Sequence, residues 1–286
     1  MAKFKEIKMD SGNEGDKENE KTLIAAFPCA VFFHQNKSIS VLVGILGCLL
    51  FAVAGIRGAY AAPLSGVGFS FSRVVLMADK RGGATVDVNN NTPNVYLMQS
   101  RVVNADPATG MPVEPGNNTA PFLVLPPLQR VDAQQRLSLR IIASPDGTAK
   151  LPQDRESVFF LATKAIPSVP SKGDKGHMAI ALVNNIKLFW RPKGLKSEVI
   201  DDVSNTLTIS RDGNKLKVTN HSAYYLTFFS LTVGGQAVSP EALRAMVPPR
   251  GSWDYPLPKG ITGGTASWKL IDEYGLPTKE QQSVVR

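Results

Sequence analysis

The sequence predicts an all-β protein made of two β-sandwich domains. Three observations carry the prediction. Short runs rich in β-branched and aromatic residues recur at close spacing. Turn clusters separate them, and no long amphipathic helical pattern intervenes. The chain is 286 residues long, 43% hydrophobic and 20% charged, which is enough for two ordinary globular cores.

The first element is a leader. Residues 39–56, ISVLVGILGCLLFAVAGI, are apolar and uncharged, and Arg57 and the small-x-small run Ala59-Tyr60-Ala61 follow. That order reads as a signal segment over 1–61, with the mature chain starting at Ala62. The stretch before it is unusually polar, with seven Lys/Arg against six Asp/Glu up to Ala61. The apolar run is also at the lower edge of a membrane span, so an uncleaved anchor is the alternative. Cleavage is favoured because the small residues stand where a signal peptidase needs them. Both cysteines, Cys29 and Cys48, lie in the leader. The mature region therefore lacks thiol chemistry and disulfides, and an exported chain of that kind depends on its cores.

The first sandwich is read from SRVVLM (72–77), ATVDVNN (84–90), VYLMQSRVV (95–103), RLSLRII (136–142) and SVFFLAT (157–163). Turn clusters at 105–118, 144–148 and 167–176 separate several of them. The pair Pro126-Pro127 is a place where a cis bond can form. The last strand lies in MAIALVNNIKLFWRP, Met178 to Pro192. Met178, Ile180, Leu182, Ile186, Leu188 and Trp190 share one face of it. Pro192 and a polar stretch then end the domain, giving boundaries of 62–191 and 192–286. The clearest hairpin of the second domain is NTLTISRDGNKLKVTN (205–220), where Gly213 can take positive φ in the turn.

Composition excludes several functions. The net charge is +8 and the pI about 9.4, but the cations are scattered with no basic run, which argues against nucleic acid. The mature region has two histidines, His177 and His221, each alone. It shows no zinc motif, no nucleophile elbow and no phosphate loop, so neither an enzyme, a metal site nor a cofactor is expected.

Three stretches together carry a resemblance: LPPLQRVDAQQRLSLRI (125–141), KLPQDRESVFFLATKAIP (150–167) and MAIALVNNIKLFWRP. FSRVVLMAD (71–79), NHSAYYLTF (220–228) and IDEYG (271–275) extend it over nearly all of 67–286. These resemble the periplasmic pilus-assembly chaperones, the PapD-like proteins of the chaperone–usher pathway. The resemblance implies two immunoglobulin-like β-sandwiches set at an angle with a cleft between them. It implies a periplasmic chaperone that caps pilin subunits by lending an edge strand, delivers them to an outer-membrane usher, and has no stable membrane association after leader removal. The competing reading is an exported two-sandwich surface-binding or adhesion module.

The resemblance also implies site residues. Arg73 and Lys187 would grip the subunit's C-terminal carboxylate. Met178, Ile180 and Leu182 would fill the subunit's groove, with apolar area dominating affinity and the two cations setting alignment. Glu156, Arg191 and Glu273 would form an ion network orienting the domains, valued as a surface network. The third position is Glu where the family has Asp, and Asp272 beside it is an alternative. The short cysteine-free loop PSVPSKGDKGH (167–177) points to the short-loop branch. Leu182 and Lys187 are five apart, so an ideal strand sends them to opposite faces; a bulge or strong twist near Asn184-Asn185 is therefore expected.

Overall fold

Period-two alternation sorts the strands into layers. The structure, a computed structural model, describes residues 65–113, 120–168 and 180–285. The strands over residues 67–191 are β1 (Val67–Phe69), β2 (Arg73–Met77), β3 (Ala84–Asn90), β4 (Tyr96–Asn104), β5 (Phe122–Leu125), β6 (Leu128–Val131), β7 (Arg136–Ala143), β8 (Ser157–Pro167) and β9 (Leu182–Arg191). They form one sheet ordered β1-β3-β7-β5 and another ordered β2-β9-β8-β4-β6. In β7, Leu137, Leu139 and Ile141 are buried while Arg136, Ser138 and Arg140 are exposed. Val86 and Val88 of β3 do the same, and Leu161, Leu188 and Trp190 meet them from the facing sheet.

Residues 200–284 form a second sandwich. After a helical turn α1 (Pro145–Thr148) in the first body, a second turn α2 (Ile200–Val203) leads into β10 (Leu207–Asp212), β11 (Lys215–Asn220), β12 (Phe228–Val233), β13 (Gln236–Ala237), β14 (Gly251–Pro256), β15 (Thr265–Leu270) and β16 (Gln281–Val284). The sheets are β10-β11-β14 and β13-β12-β15-β16. Their core is built on Leu216, Val218, Leu231, Val233, Tyr255 and Trp268. The expected hairpin is β10–β11, and Gly213 in its turn has φ +60°.

The two sandwiches share one local device. Asn90 closes β3 and Asn220 closes β11, and both are fully buried. Asn90 Nδ2 donates to the carbonyls of Asn94 and Asp132, and its Oδ1 accepts from the Thr92 N–H and hydroxyl. Asn220 Nδ2 donates to the carbonyls of Tyr224 and Pro248, and its Oδ1 accepts from the Ser222 N–H and hydroxyl. A buried amide satisfied at both ends holds a loop in place of water. The device is local and spans only a few residues in each domain.

The Pro126-Pro127 pair does carry a cis bond, and one expectation about β9 changes. The cis peptide precedes Pro126, between Leu125 and Pro126. The bulge expected near Asn184-Asn185 is not there. The β8–β9 ladder runs without a skip from Ser157↔Trp190 to Ala165↔Leu182. Leu182 therefore faces the same way as Ile186, and Lys187 faces the other way with Val183. An edge strand can offer both faces to a partner that wraps around it, so the bulge was unnecessary.

Candidate functional site

The site begins with how β9 is paired. Against β8 it is paired from Leu182 to Trp190. On its other side it pairs with β2, in parallel, only from Lys187 to Arg191. Leu182–Ile186 thus has a ladder on one side and, among the described residues, no strand ladder on the other, where the Asn184 side chain donates to the Val67 carbonyl at 2.6 Å. An open edge carries backbone N–H and C=O groups that template another strand. Leu182 is 60% exposed and Ile180, just before the strand, 65%. Both are large apolar side chains left in water. Met178 lies outside the described residues, as does most of the short loop.

The cations sit where that open edge ends. Arg73 and Lys187 are register partners in the parallel ladder, so their side chains leave the sheet on the same face. Lys187 Nζ donates to Thr227 Oγ1 at 3.3 Å and to the Arg244 carbonyl at 3.4 Å, both in the second sandwich. Arg73 is buried, and its Nη1 donates to the Ile271 carbonyl at 3.0 Å. Its Nε is buried without a hydrogen-bond partner among the described residues. Burial lowers Arg73 to a pKa of about 10. Burial first, and then the charge of Arg73, lower Lys187 to about 7. Two cations desolvated side by side are a receptor for an anion.

Both cations line a cleft of about 560 Å³ between the sandwiches. Ser72 and Asn185 border it from the first domain, and Phe229, Pro240, Leu243 and Ile271 from the second. Its walls are chiefly apolar and its cations are clustered at one place. That arrangement has the shape and charge to accommodate an extended apolar chain ending in a negative charge.

Behind the cleft the domains are joined by a buried ion cluster. Arg191 Nε donates to Glu156 Oε1 at 2.6 Å, and Arg191 Nη1 lies 3.0 Å from Glu273 Oε1. Glu156 Oε2 accepts the Tyr225 N–H at 2.7 Å, crossing the domain boundary. Glu273 Oε1 also accepts the N–H groups of Val199 and Ile200, at the start of α2. The Arg191 guanidinium stacks 4.8 Å from the Tyr224 ring. Asp272 instead accepts the N–H groups of Tyr274 and Leu276 within its own turn. Burial pushes the Glu156 carboxyl up, against the pull of Arg191. The side chains of Arg191, Glu156 and Glu273 are 2%, 1% and 8% exposed, so the value of a surface ion pair does not apply to them. Removing one member of a buried set leaves an uncompensated charge and costs about 3–5 kcal/mol.

Two further contacts were not read from the sequence. Arg250 Nη1 binds Asp154 Oδ2 at 2.6 Å and so ties the second domain to the loop before β8. Arg250 holds φ +51°, a left-handed conformation few non-glycine residues adopt. The other is Phe229, exposed in the cleft wall. A doublet Phe228-Phe229 inside an alternating strand was the available signal.

Comparison with known proteins covers both domains. The family model for the N-terminal domain of the PapD-type pili and flagellar-assembly chaperones matches residues 66–196. The model for the C-terminal domain of the pili assembly chaperone PapD matches residues 202–282. Chaperone protein FimC of Escherichia coli K12 is 32% identical over 252 residues, covering 88% of this chain and 95% of FimC. A chain in the structure of the Salmonella enterica SafA pilin in complex with the SafB chaperone is 31% identical with a TM-score of 0.65, over 79% of this chain and 99% of that one. The periplasmic chaperone SfaE is 30% identical with a TM-score of 0.60, over 77% of this chain and all of SfaE.

Proposed function

The chain belongs to the family of pilus-assembly chaperones, and from that premise we propose that it captures pilin subunits in the periplasm and hands them to an outer-membrane usher. The SafA–SafB complex supports a pilin as the partner, and SfaE supports the compartment. The leader 1–61 is removed on export, and the mature protein is soluble in the periplasm. No catalysis is part of this role.

One observation carries the mechanism: the edge strand that is open over Leu182–Ile186 ends at the paired cations Arg73 and Lys187. A subunit lacking a strand exposes a groove and unpaired backbone groups. The segment from Met178 to Leu182 fills that groove, with alternate side chains spaced about 6.8 Å apart on one face. Main-chain bonds along the edge are indifferent to the subunit's side chains. A chain has one terminal carboxylate, so its capture by Arg73 and Lys187 fixes the register. The cluster of Glu156, Arg191 and Glu273 keeps the two walls of the cleft in place.

Co-expression with the pilin subunit it serves yields a one-to-one periplasmic complex. Equal recovery of the subunit without this protein overturns the proposal. Mass spectrometry of the mature N-terminus tests cleavage after Ala61.

A further inference from the structure

We propose that Phe229 is a second docking point for the bound subunit, one that reads a large apolar side chain within the last three residues before the captured carboxylate. The inference rests on the chaperone reading and deepens it. It starts from the parity of β12. Val233 and Leu231 are buried, and counting back in twos places residue 229 in the core. Phe229 is instead 57% exposed, and its neighbour Phe228 is 2% exposed.

A β-bulge makes the exchange. The ladder to β15 pairs Phe228 with Leu270 and Ser230 with Lys269, and Phe229 is skipped. A bulge interrupts the ladder and re-aims a side chain. Here it turns a phenyl ring out of a core position and into the cleft that holds Lys187. An exposed aromatic against an apolar wall is a surface awaiting a partner.

Geometry selects the part of the partner that reaches it. Thr227, two residues before Phe229, accepts the Lys187 ammonium at 3.3 Å. Two residues of strand span about 7 Å. A subunit chain pinned by its carboxylate at Lys187 advances about 3.4 Å per residue, so its last two or three residues pass Phe229. Leu243 and Pro240 border the same cleft and close an apolar pocket around such a side chain.

The test uses synthetic peptides of about ten residues, alternating Val and Thr, the length of one strand. Each ends in a free carboxylate and carries Phe or Ala at one of the last three positions; an amide-ended set is the control. Binding is followed by fluorescence anisotropy. The wild-type protein prefers the best Phe peptide over its Ala counterpart by about tenfold or more, the effect expected for burying one phenyl ring. Phe229→Ala loses that preference, and Lys187→Ala loses the preference for acid over amide. Discrimination of acid from amide without any preference for Phe overturns the proposal alone, as does a Phe preference that persists in Phe229→Ala. Acid and amide peptides bound alike, or no peptide bound, overturns the carboxylate reading and this inference with it. Thermal unfolding of Phe229→Ala matches wild type, because the ring it removes is already in solvent.

Discussion

Arg73 and Lys187 stand side by side as partners in the parallel ladder of β2 and β9, two cations on one face of one sheet. Neither has a carboxylate ion-pair partner among the described residues. The free protein therefore stores an unfavourable charge arrangement that a bound anion relieves.

This makes subunit binding pH-dependent. In the free protein Lys187 has a pKa of about 7, lowered first by burial and then by Arg73. A carboxylate beside it favours the protonated form, so the complex keeps its proton to higher pH than the free protein does. Affinity is full below about pH 7 and falls above it, by at most about tenfold per pH unit. Calorimetric titrations with the subunit across this range measure the slope. The same slope in Lys187→Met would sink the assignment.

The stability of the free protein moves the opposite way. The folded pKa of Lys187 lies below its ordinary 10.5, so between about 7 and 10.5 the unfolded chain binds the extra proton. Stability rises with pH across that window, and the penalty is fully present below it. Lys187→Met is therefore expected to stabilise the free protein below pH 7, with a gain that shrinks toward pH 10.5, while abolishing carboxylate capture. Urea unfolding at both ends of the window checks the sign. A variant less stable than wild type at the acidic end contradicts it.

The edge strand gives a third expectation. Ile180 and Leu182 are 65% and 60% exposed in the free protein, so Ile180→Ser and Leu182→Ser leave its unfolding midpoint unchanged. In the complex each side chain enters the subunit's groove, and each change weakens binding by about 1.5–3 kcal/mol. Co-purification of the subunit with each variant reads this directly. Loss of stability without loss of binding would place the two residues in the chaperone's own core instead.

What the sequence disclosed follows from which physics is local. Six strands of the first domain were legible because alternation over five or more residues marks them: β2, β3, β4, β7, β8 and β9 all lie within a residue or a few of the expected runs. The short β1, β5 and β6 were not legible, since three or four residues show no period. The pairing of Arg73 with Lys187 is a tertiary relation between residues 114 positions apart, and only the family resemblance brought them together before the fold did. Burial of the Glu156–Arg191–Glu273 cluster was invisible, because charges in a sequence read as surface. Of the bulge or strong twist expected in β9, the bulge is absent; a bulge that was not expected lies in β12, where two adjacent phenylalanines compete for one core position.

The interdomain cluster supplies the last expectation. Arg191 bonds Glu156 and Glu273 together and donates to the carbonyls of Lys196 and Ser197 in the linker. Arg191→Met leaves two buried carboxylates without their cation and destabilises the protein by about 3–5 kcal/mol. Glu273→Asp keeps the charge and shortens the side chain, and it is not expected to be neutral here. Glu273 Oε1 reaches Arg191 Nη1 at 3.0 Å while accepting the Val199 N–H at 3.0 Å, and a carboxylate one methylene shorter cannot keep both. The cost is about 1 kcal/mol, that of one hydrogen bond, and the cleft walls lose part of their alignment. Urea unfolding gives the stability of each variant, and subunit titration gives the affinity. If the cluster orients the domains, Glu273→Asp lowers affinity as well as stability; a loss of stability with unchanged affinity would reduce the cluster to a packing element.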